Sequence, residues 1–338
     1  MNQHQDKDNQ DRDKDKDPHN QDEDQGQEKY RYEPSLNKYP LSLLKNLTEP
    51  ISSTDVIFQF HIPKAAGTLT KQIFTQCFHL SRGAEQSHLN LNLNLDAHKH
   101  NKIIYNMDTS TIAGISKAKS YNLLSHDMLD GFTSSHLHEA CTLLSPTHGG
   151  RLFVMMRHPV EREISLFYYL GKAEWEDGYR EDFGNMTLLE YATFANDDDH
   201  DNANDSGGGG RNNHVRLDNW MVRYLARKLK GEVQPQDVQL AKASLKYKRL
   251  IGLTEDYKES MRRFDLFHGI HHYHGDNAYT RTRTRTRGRK NQNDCVEQHM
   301  NQKINENVHE TVHPESKEWK ALMKVNQLDV ELYNYANT

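Results

Sequence analysis

The sequence predicts an α/β fold in three layers, with a central parallel sheet and helices on both of its faces. Two observations support this prediction. Short apolar runs alternate with segments of helical periodicity across residues 50–337. Runs such as DVIFQFHI (55–62) are largely apolar at successive positions, which is typical of strands buried on both faces of a parallel sheet.

The first predicted strand leads directly into a helix from about Thr68, whose apolar residues recur at helical spacing. A proline suits the first turn of a second helix, and apolar residues recur every four positions along a third. The predicted strands are 55–62, 102–107, 131–137, 151–158 and 248–255. The later predicted helices are 159–170, 215–230 and 315–336.

Polar residues are concentrated in a few segments. The chain is only 35% hydrophobic over its 338 residues, with a mean hydropathy of -0.96, which is low for a compact globule. Residues 1–29 contain no hydrophobic residue after Met1, so residues 1–49 are predicted to form a disordered polar tail and lead-in. Residues 50–337 are predicted to form one domain, with low-complexity insertions near 89–95, 196–213 and 275–293.

The sequence shows no signal for a membrane span or for a disulfide framework. No apolar run approaches the roughly 18 residues that span a bilayer, and the first residues lack the hydrophobic stretch of a secretion signal. The three cysteines, Cys77, Cys141 and Cys295, have neither framework nor metal-ligand spacing and allow at most one disulfide.

The charge and the histidine content predict neither a nucleic-acid partner nor a metal site. The net charge is -5, and no recognised nucleic-acid-binding motif accompanies the basic stretches 211–230 and 280–290, so nucleic acid is not an expected partner. The cluster HGIHHYH (268–274) lacks a cysteine or carboxylate at a recognised spacing, so no metal site is predicted there.

The junction HIPKAAGT (61–68) predicts a phosphate-binding loop. A loop that leaves the carboxyl end of a parallel strand and opens a helix exposes unpaired backbone N–H groups. Small residues allow close approach of a phosphate, Thr68 adds a hydroxyl, and Lys64 adds a point charge. An ordinary turn with a solvated lysine is the alternative. The pattern GxxxxGK[ST] is not present, which disfavours magnesium-dependent triphosphate chemistry.

A second stretch, MMRHPVEREISLFYYL (155–170), brings an arginine to the same predicted sheet edge. Arg157 ends a strand, and Ser165 follows two turns into the next helix. A guanidinium and a hydroxyl in this arrangement are able to hold a second phosphate. The alternative is a surface ion pair between Arg157 and Glu161 or Glu163.

A third stretch, GFTSSHLHEA (131–140), brings a histidine to this edge. His136 lies at the end of the predicted strand, where it is placed to take a proton. His138 is a rival base, and along a strand both side chains would point to the same face. The alternative is a structural histidine with no part in catalysis.

The order and spacing of these three stretches resemble the sulfotransferases that use 3'-phosphoadenylyl sulfate. The resemblance is to the carbohydrate branch typified by heparan sulfate 2-O-sulfotransferase. HIPKAAGT is similar to that family's 5'-phosphosulfate loop, RHPVEREIS (157–165) to its 3'-phosphate segment, and GFTSSHL (131–137) to the stretch that carries its histidine base. The likeness extends over roughly residues 50–335.

The resemblance implies a sulfotransferase fold and sulfuryl transfer to a hydroxyl of a glycan or polysaccharide, without a metal. It implies that His136 is the general base and that Lys64 stabilises the departing 5'-phosphate. It also implies a Golgi membrane or lumenal location, although this chain begins with a polar tail. The donor-binding residues that it implies are Lys64, Ala65, Ala66, Gly67, Thr68, Leu69, Arg157 and Ser165.

Three positions depart from the family pattern. Ala65 and Leu69 replace residues that often carry hydroxyls in the loop, and Ser134 stands where the 2-O enzymes have the first histidine of a pair. These departures leave a second hypothesis open, a noncatalytic nucleotide- or glycan-binding protein of the same fold.

Overall fold

Six parallel strands form the sheet in the part of the chain that the structure describes. The structure is a computed structural model and describes residues 39–84, 104–106, 109, 112–120, 130–174, 179–194, 218–246, 249–270, 287–302 and 311–338. The strands are β1 (Val56–Phe60), β2 (Arg82–Ala84), β3 (Ile104–Asn106), β4 (Gly131–Ser134), β5 (Gly150–Met156) and β6 (Arg249–Leu253). Their order in the sheet is β3-β2-β4-β1-β5-β6, and every neighbouring pair is parallel.

Helices connect and cover these strands. The α-helices are α1 (Tyr39–Ser42), α2 (Gly67–Gln72), α3 (Ile112–Ser120), α4 (Leu137–Ala140), α5 (Pro159–Leu170), α6 (Leu188–Phe194), α7 (Trp220–Ala226), α8 (Pro235–Lys246), α9 (Tyr257–His268), α10 (Arg287–Asn301), α11 (Lys317–Val325) and α12 (Gln327–Ala336). A π-helix, Ile73–Cys77, continues α2 without a break.

The two faces of the sheet carry separate apolar clusters, because successive residues of a strand point to opposite sides. Phe58 and Leu152 pack into the cluster that contains α7, α8 and α12. Ile57 and Phe153 pack into the cluster that contains the π-helix, α9 and α10. The predicted three-layer α/β fold with a central parallel sheet is therefore confirmed.

The chain reverses its direction across the sheet beside β1. After β1 it crosses towards β2 on one side, and after β5 it crosses to β6 on the other. Open α/β sheets bind ligands at such a switch point, outside the carboxyl ends of the strands. The register aligns Phe60 of β1 with Ser134 of β4 and Val154 of β5, so the segments that follow these three strands lie side by side.

Several element boundaries differ from the sequence prediction. β4 ends at Ser134, two residues before His136. The helix predicted over 215–230 is the shorter α7, because Arg227 has a left-handed backbone (φ 58°) that ends it. The helix predicted over 315–336 is broken at Asn326 into α11 and α12.

The structure describes only part of the predicted tail and insertions. Residues 1–29, 89–95 and 196–213 lie outside the described residues. Residues 39–49 of the proposed lead-in are folded: Leu44 is buried and pairs with Gly150 at the amino end of β5. The insertion proposed at 275–293 overlaps α10, which begins at Arg287.

One disulfide, Cys77–Cys295, joins the π-helix to α10 across 218 residues of sequence. The remaining cysteine, Cys141, is buried outside this bond. Within the described ranges, no helix combines the length and apolar composition needed to cross a membrane.

Candidate active site

The loop between β1 and α2 contains two non-glycine residues with left-handed backbone. Lys64 has φ 65° and Ala66 has φ 58°, a region in which side chains other than glycine are strained. Residues with left-handed backbone that alternate with residues of right-handed backbone form a nest. In a nest, successive backbone N–H groups point to one place and bind an anion. Thr70 supports the end of the loop, because its hydroxyl donates to the Ala66 carbonyl (2.9 Å) and also bonds to the Tyr257 hydroxyl (3.0 Å).

The predicted loop residues differ in exposure. Ala65 is 1% exposed and belongs to the core, and Leu69 packs against the cluster that contains the π-helix. Thr68 is exposed, whereas Gly67 is buried. Lys64 and Ala66 are partly exposed.

Gly67 is required by the packing of His61. A β-carbon at residue 67 would lie 2.1 Å from Nε2 of His61, far inside contact distance. Burial, with the neighbouring cations Lys71, Arg82 and Lys64, lowers the pKa of His61 to about 3, so its ring is neutral near pH 7. Gly67, predicted from the sequence to allow close approach of a phosphate, therefore also has a local steric reason.

Lys64 and Arg157 contact each other where the segments after β1 and β5 meet. Nη1 of Arg157 lies 3.4 Å from the Lys64 carbonyl oxygen, and its Nε lies 3.4 Å from Oε2 of Glu161. Both distances are long for hydrogen bonds. The Arg157 side chain is 28% exposed, so its guanidinium is accessible from solvent.

One face of α5 extends this contact. Glu161, Ser165 and Tyr169 follow at intervals of four residues on one side of α5, and Arg157 precedes the helix, four residues before Glu161. Nζ of Lys64 lies 4.0 Å from the centroid of the Tyr169 ring, at the far end of that side. Ser165 is 7% exposed, and its hydroxyl has no hydrogen-bond partner among the described residues.

His136 follows β4, on the other side of the loop. It precedes α4, its backbone N–H donates to Oγ of Ser134 (3.0 Å), and its carbonyl accepts from Ala140 (2.9 Å). Its ring makes an edge contact with Tyr224, with centroids 5.8 Å apart. Ser135 links this segment to the loop, because its hydroxyl donates to the His61 carbonyl (2.9 Å).

His138 lies in a different environment from His136. The prediction that the two side chains share a strand face is wrong, because the strand ends at Ser134 and His138 belongs to α4. Nε2 of His138 lies 3.3 Å from the Leu225 carbonyl oxygen of α7. Burial lowers the pKa of His138, although that contact opposes the shift.

The family comparison agrees with this arrangement of strands and loops. The model of the Sulfotransferase family matches residues 50–336, which include all three stretches. The chain belongs to the sulfotransferase family. A search of curated proteins found no match to it.

Family membership establishes sulfuryl transfer as the general activity of this sulfotransferase and implies a sulfuryl donor such as 3'-phosphoadenylyl sulfate. The fold brings the segments that carry Lys64, Arg157 and His136 to one edge of its sheet.

This sulfotransferase also contains a buried arginine on β2, Arg82, whose hydrogen-bond partners lie on β1 and β4. Nη2 of Arg82 donates to Oε1 of Gln59 (3.0 Å) and to the Thr133 hydroxyl, and its guanidinium lies 4.6 Å from the Phe74 ring centroid. Its Nε and Nη1 have no partner among the described residues, and burial lowers its pKa to about 9. No sequence signal identifies Arg82, because β2 is too short to show a strand pattern.

Two basic residues of the α7 segment do not form a free cationic face. Arg223 is fully buried and donates from Nη2 to both carboxylate oxygens of Asp218 at 2.8 Å. Arg227 pairs with Glu139 at 2.9 Å. Arg223 is therefore engaged by the fold and is not available to bind an external anion.

Proposed function

We propose that this sulfotransferase transfers a sulfuryl group from 3'-phosphoadenylyl sulfate to a hydroxyl of a carbohydrate, and that His136 is the general base. The observation that carries the proposal is the alignment of three polar segments at the carboxyl edge of β4, β1 and β5. Lys64 is in the middle segment, His136 lies on one side of it, and Arg157 lies on the other.

The proposed donor contacts divide between two phosphate groups. The loop amides and Lys64 hold the 5'-phosphosulfate, and Lys64 stabilises the negative charge that grows on the 5'-phosphate as it departs. Arg157 and Ser165 hold the 3'-phosphate. The partly exposed guanidinium of Arg157, its long contacts and the Ser165 hydroxyl, which has no hydrogen bond within the described part of the chain, support this assignment, because these donors have capacity for a ligand.

The donor supplies an activated sulfuryl group when it is bound. His136 takes the proton of the acceptor hydroxyl as the acceptor oxygen forms its bond to sulfur. The bond between sulfur and the 5'-phosphate oxygen breaks, and adenosine 3',5'-bisphosphate leaves with the electron pair. The proton stays on the His136 imidazole until solvent removes it.

Two observations favour His136 over His138 as the base. His138 contacts the Leu225 carbonyl through Nε2, so that nitrogen is engaged by the fold. His136 is fixed through its backbone by Ser134 and Ala140 at the end of β4, and its ring makes an edge contact with Tyr224.

The carbohydrate acceptor rests on the motif resemblance. Ser134 replaces a histidine of the 2-O enzymes, and its hydroxyl lies 3.3 Å from the Thr109 carbonyl while it accepts the His136 N–H. This serine is 3% exposed and supports the turn that holds His136. We therefore propose a glycan hydroxyl as the acceptor, with no contact from Ser134.

The proposed location is the Golgi. The family resemblance supports it, and the Cys77–Cys295 bond is consistent with an oxidising compartment. Fluorescence microscopy of the full-length protein beside a Golgi marker tests this proposal, and exclusive cytosolic signal contradicts it.

The decisive experiment measures transfer of labelled sulfate from 3'-phosphoadenylyl sulfate to a panel of polysaccharides. We expect wild-type protein to label at least one glycan, and His136→Ala to reduce turnover by about 10² to 10⁴-fold, the range for a general base. His138→Ala is the matched control and should retain turnover. Both variants should bind adenosine 3',5'-bisphosphate like the wild type.

Two results contradict the proposal. Near-normal turnover of His136→Ala removes this residue from the role of base. Tight binding of adenosine 3',5'-bisphosphate by wild-type protein, with no transfer to any acceptor, supports the noncatalytic hypothesis instead.

A further inference from the structure

Three potential metal ligands meet on the face of the sheet that carries the π-helix. Cys77 is the last residue of the π-helix, and Cys295 and His299 lie one turn apart on α10. Their ligand atoms all lie within 4.8 Å of one another. The spacing of four residues between Cys295 and His299 places both on one side of α10.

His299 has an unsatisfied nitrogen at this position. Its side chain is only 9% exposed, and Nδ1 has no hydrogen-bond partner among the described residues. Buried polar atoms of this kind normally have a partner, so an unbonded buried imidazole nitrogen requires an explanation. In the reduced protein, a metal ion held by the two cysteine sulfur atoms would give this imidazole a partner.

The surroundings suit a soft divalent metal. Cys77 and Val296 belong to the apolar cluster that also contains Phe78, so the cluster excludes much of the solvent from one side of the site. Two thiolates and one imidazole are a donor set that binds Zn²⁺ with tetrahedral geometry. A restricted and apolar surrounding strengthens such a site, because it controls solvent access.

We propose that Cys77, Cys295 and His299 form a zinc-binding site when the Cys77–Cys295 disulfide is reduced. The proposal is independent of the sulfuryl-transfer site and of the identity of its acceptor. In the reduced form, two thiolates and the neutral imidazole bind Zn²⁺, and one water molecule fills the fourth position.

The chemistry balances in two steps. A phosphine supplies the two electrons that break the S–S bond and is oxidised to the phosphine oxide, and water supplies the oxygen of the oxide and the two protons of the resulting thiols. Zinc binding then releases both thiol protons to the solvent, because the thiolate is the ligand.

Conversion of the disulfide to the zinc site requires only a small movement of the two sulfur atoms. A tetrahedral ion with Zn–S bonds of about 2.3 Å separates two sulfur atoms by roughly 3.8 Å, so the bonded atoms move apart by less than about 2 Å. The Cα atoms of the two cysteines are 5.7 Å apart, which leaves this adjustment to the side chains.

The two states exclude each other, since both use the same sulfur atoms. In either state α10 is fastened to the helical segment that begins at Gly67 and ends at Cys77. An oxidised chain uses a covalent bond for this purpose, and a reduced chain uses a metal.

The test uses the full-length protein with Co²⁺ as a spectroscopic probe and Zn²⁺ as the competing metal. One sample is oxidised, and the other is reduced with a phosphine and desalted without oxygen. We expect thiolate-to-cobalt charge-transfer absorption at one Co²⁺ per chain in the reduced sample only, and its loss when Zn²⁺ displaces the cobalt. No absorption in the reduced protein, or equal absorption in the oxidised protein, overturns the proposal.

Variants separate this site from the other cysteine and from exposed histidines. His299→Gln keeps both cysteines, so its disulfide can be verified by mass before reduction, and its Co²⁺ affinity should fall by about 10- to 100-fold or more. Cys295→Ser should abolish the charge-transfer bands. Cys141→Ser and His313→Gln, the latter at an exposed histidine, are the controls and should bind like the wild type. Unchanged affinity in His299→Gln, or loss of binding in Cys141→Ser, contradicts the ligand assignment.

Discussion

The ring of His61 occupies the space that a side chain at residue 67 would need. Gly67 itself does not have a left-handed backbone, so its requirement is steric rather than conformational. Because His61 is neutral near pH 7, its ring packs against the loop without adding charge beside Lys64. The loop conformation therefore depends on the contact between His61 and Gly67.

We expect Gly67→Ala to destabilise the protein by about 1 to 3 kcal/mol, the usual cost of overpacking, and to weaken binding of adenosine 3',5'-bisphosphate. The double variant His61→Ala/Gly67→Ala should recover part of both losses, because the smaller residue makes room for the new methyl group. Denaturant unfolding and calorimetry measure the two effects.

Gly184→Ala is the matched control for this cycle, since a β-carbon there would meet only ordinary contacts at 3.8 Å. Strictly additive effects of the His61 and Gly67 changes would show that the ring does not enforce the glycine.

Arg157 provides a second prediction at the scale of single residues. Removal of its guanidinium should weaken binding of adenosine 3',5'-bisphosphate by about 1.5 to 3 kcal/mol, the contribution of a hydrogen bond to a charged group. Titration calorimetry of Arg157→Ala measures this loss. Arg180→Ala, which removes an exposed arginine paired with Asp182, should bind like the wild type. Equal affinity of Arg157→Ala and wild type would refute the 3'-phosphate assignment.

At the scale of elements, α7 and α12 are joined through their termini. Asp329 of α12 accepts hydrogen bonds from the backbone of Met221 (2.9 Å) and Val222 (2.8 Å) in the first turn of α7. Asn219 returns the contact, because its Oδ1 accepts from the backbone of Leu328 (2.9 Å). Each helix thus satisfies N–H groups that the other leaves unpaired at its start.

Burial raises the pKa of Asp329 from 3.8 to about 6, although the N–H donors and Arg162 oppose the shift. A raised carboxyl pKa means that the folded state binds the proton more tightly than the unfolded state. This group therefore makes its most favourable contribution to stability below about pH 4 and loses it as the pH rises through about 6.

Asp329→Asn should consequently show a pH-dependent effect. We expect the variant to be less stable than the wild type near pH 4, and this difference to shrink as the pH rises towards 7, because the amide does not ionise. Thermal unfolding at several pH values measures it. A stability difference that is constant between pH 4 and 7 would contradict the raised pKa.

The elements that the sequence predicts best are the central strands. β1 and β5 are buried along their whole length, so their apolar runs are visible without the structure. β2 is only three residues long and contains the buried Arg82, so no apolar pattern marks it. The breaks at Arg227 and Asn326 are single backbone conformations inside otherwise helical patterns, and such breaks depend on tertiary contacts.

For the whole molecule, the position of the site follows from the parallel sheet. Segments after parallel strands share one edge, so the sequence could predict that the segments carrying Lys64, Arg157 and His136 lie side by side. It could not predict the contacts of Arg82 or the Cys77–Cys295 bond, because their partners are distant in sequence. Sequence periodicity reports local structure and which face is buried, but it does not report which distant side chains meet.

The opposite edge of the sheet holds the amino-terminal segment of the fold. Arg151, 2% exposed at the start of β5, donates to Asp55 (2.7 Å), to the Asn46 carbonyl (2.7 Å) and to the Pro50 carbonyl (2.6 Å). One guanidinium therefore fixes the whole connection from residue 46 to β1. These contacts lie at the amino ends of the strands, away from the edge that carries the proposed chemistry.

Arg151→Met should separate stability from activity. It leaves the Asp55 carboxylate without its buried partner, so we expect a loss of about 3 to 5 kcal/mol in the free energy of unfolding. Sulfate transfer per folded molecule, measured well below the melting temperature, should remain close to that of the wild type. Arg180→Met removes an exposed pair and should change stability by only about 0 to 1 kcal/mol. A large loss of turnover in folded Arg151→Met would mean that the two edges of the sheet are coupled, since no contact of Arg151 reaches the loop at Lys64 directly in the described residues.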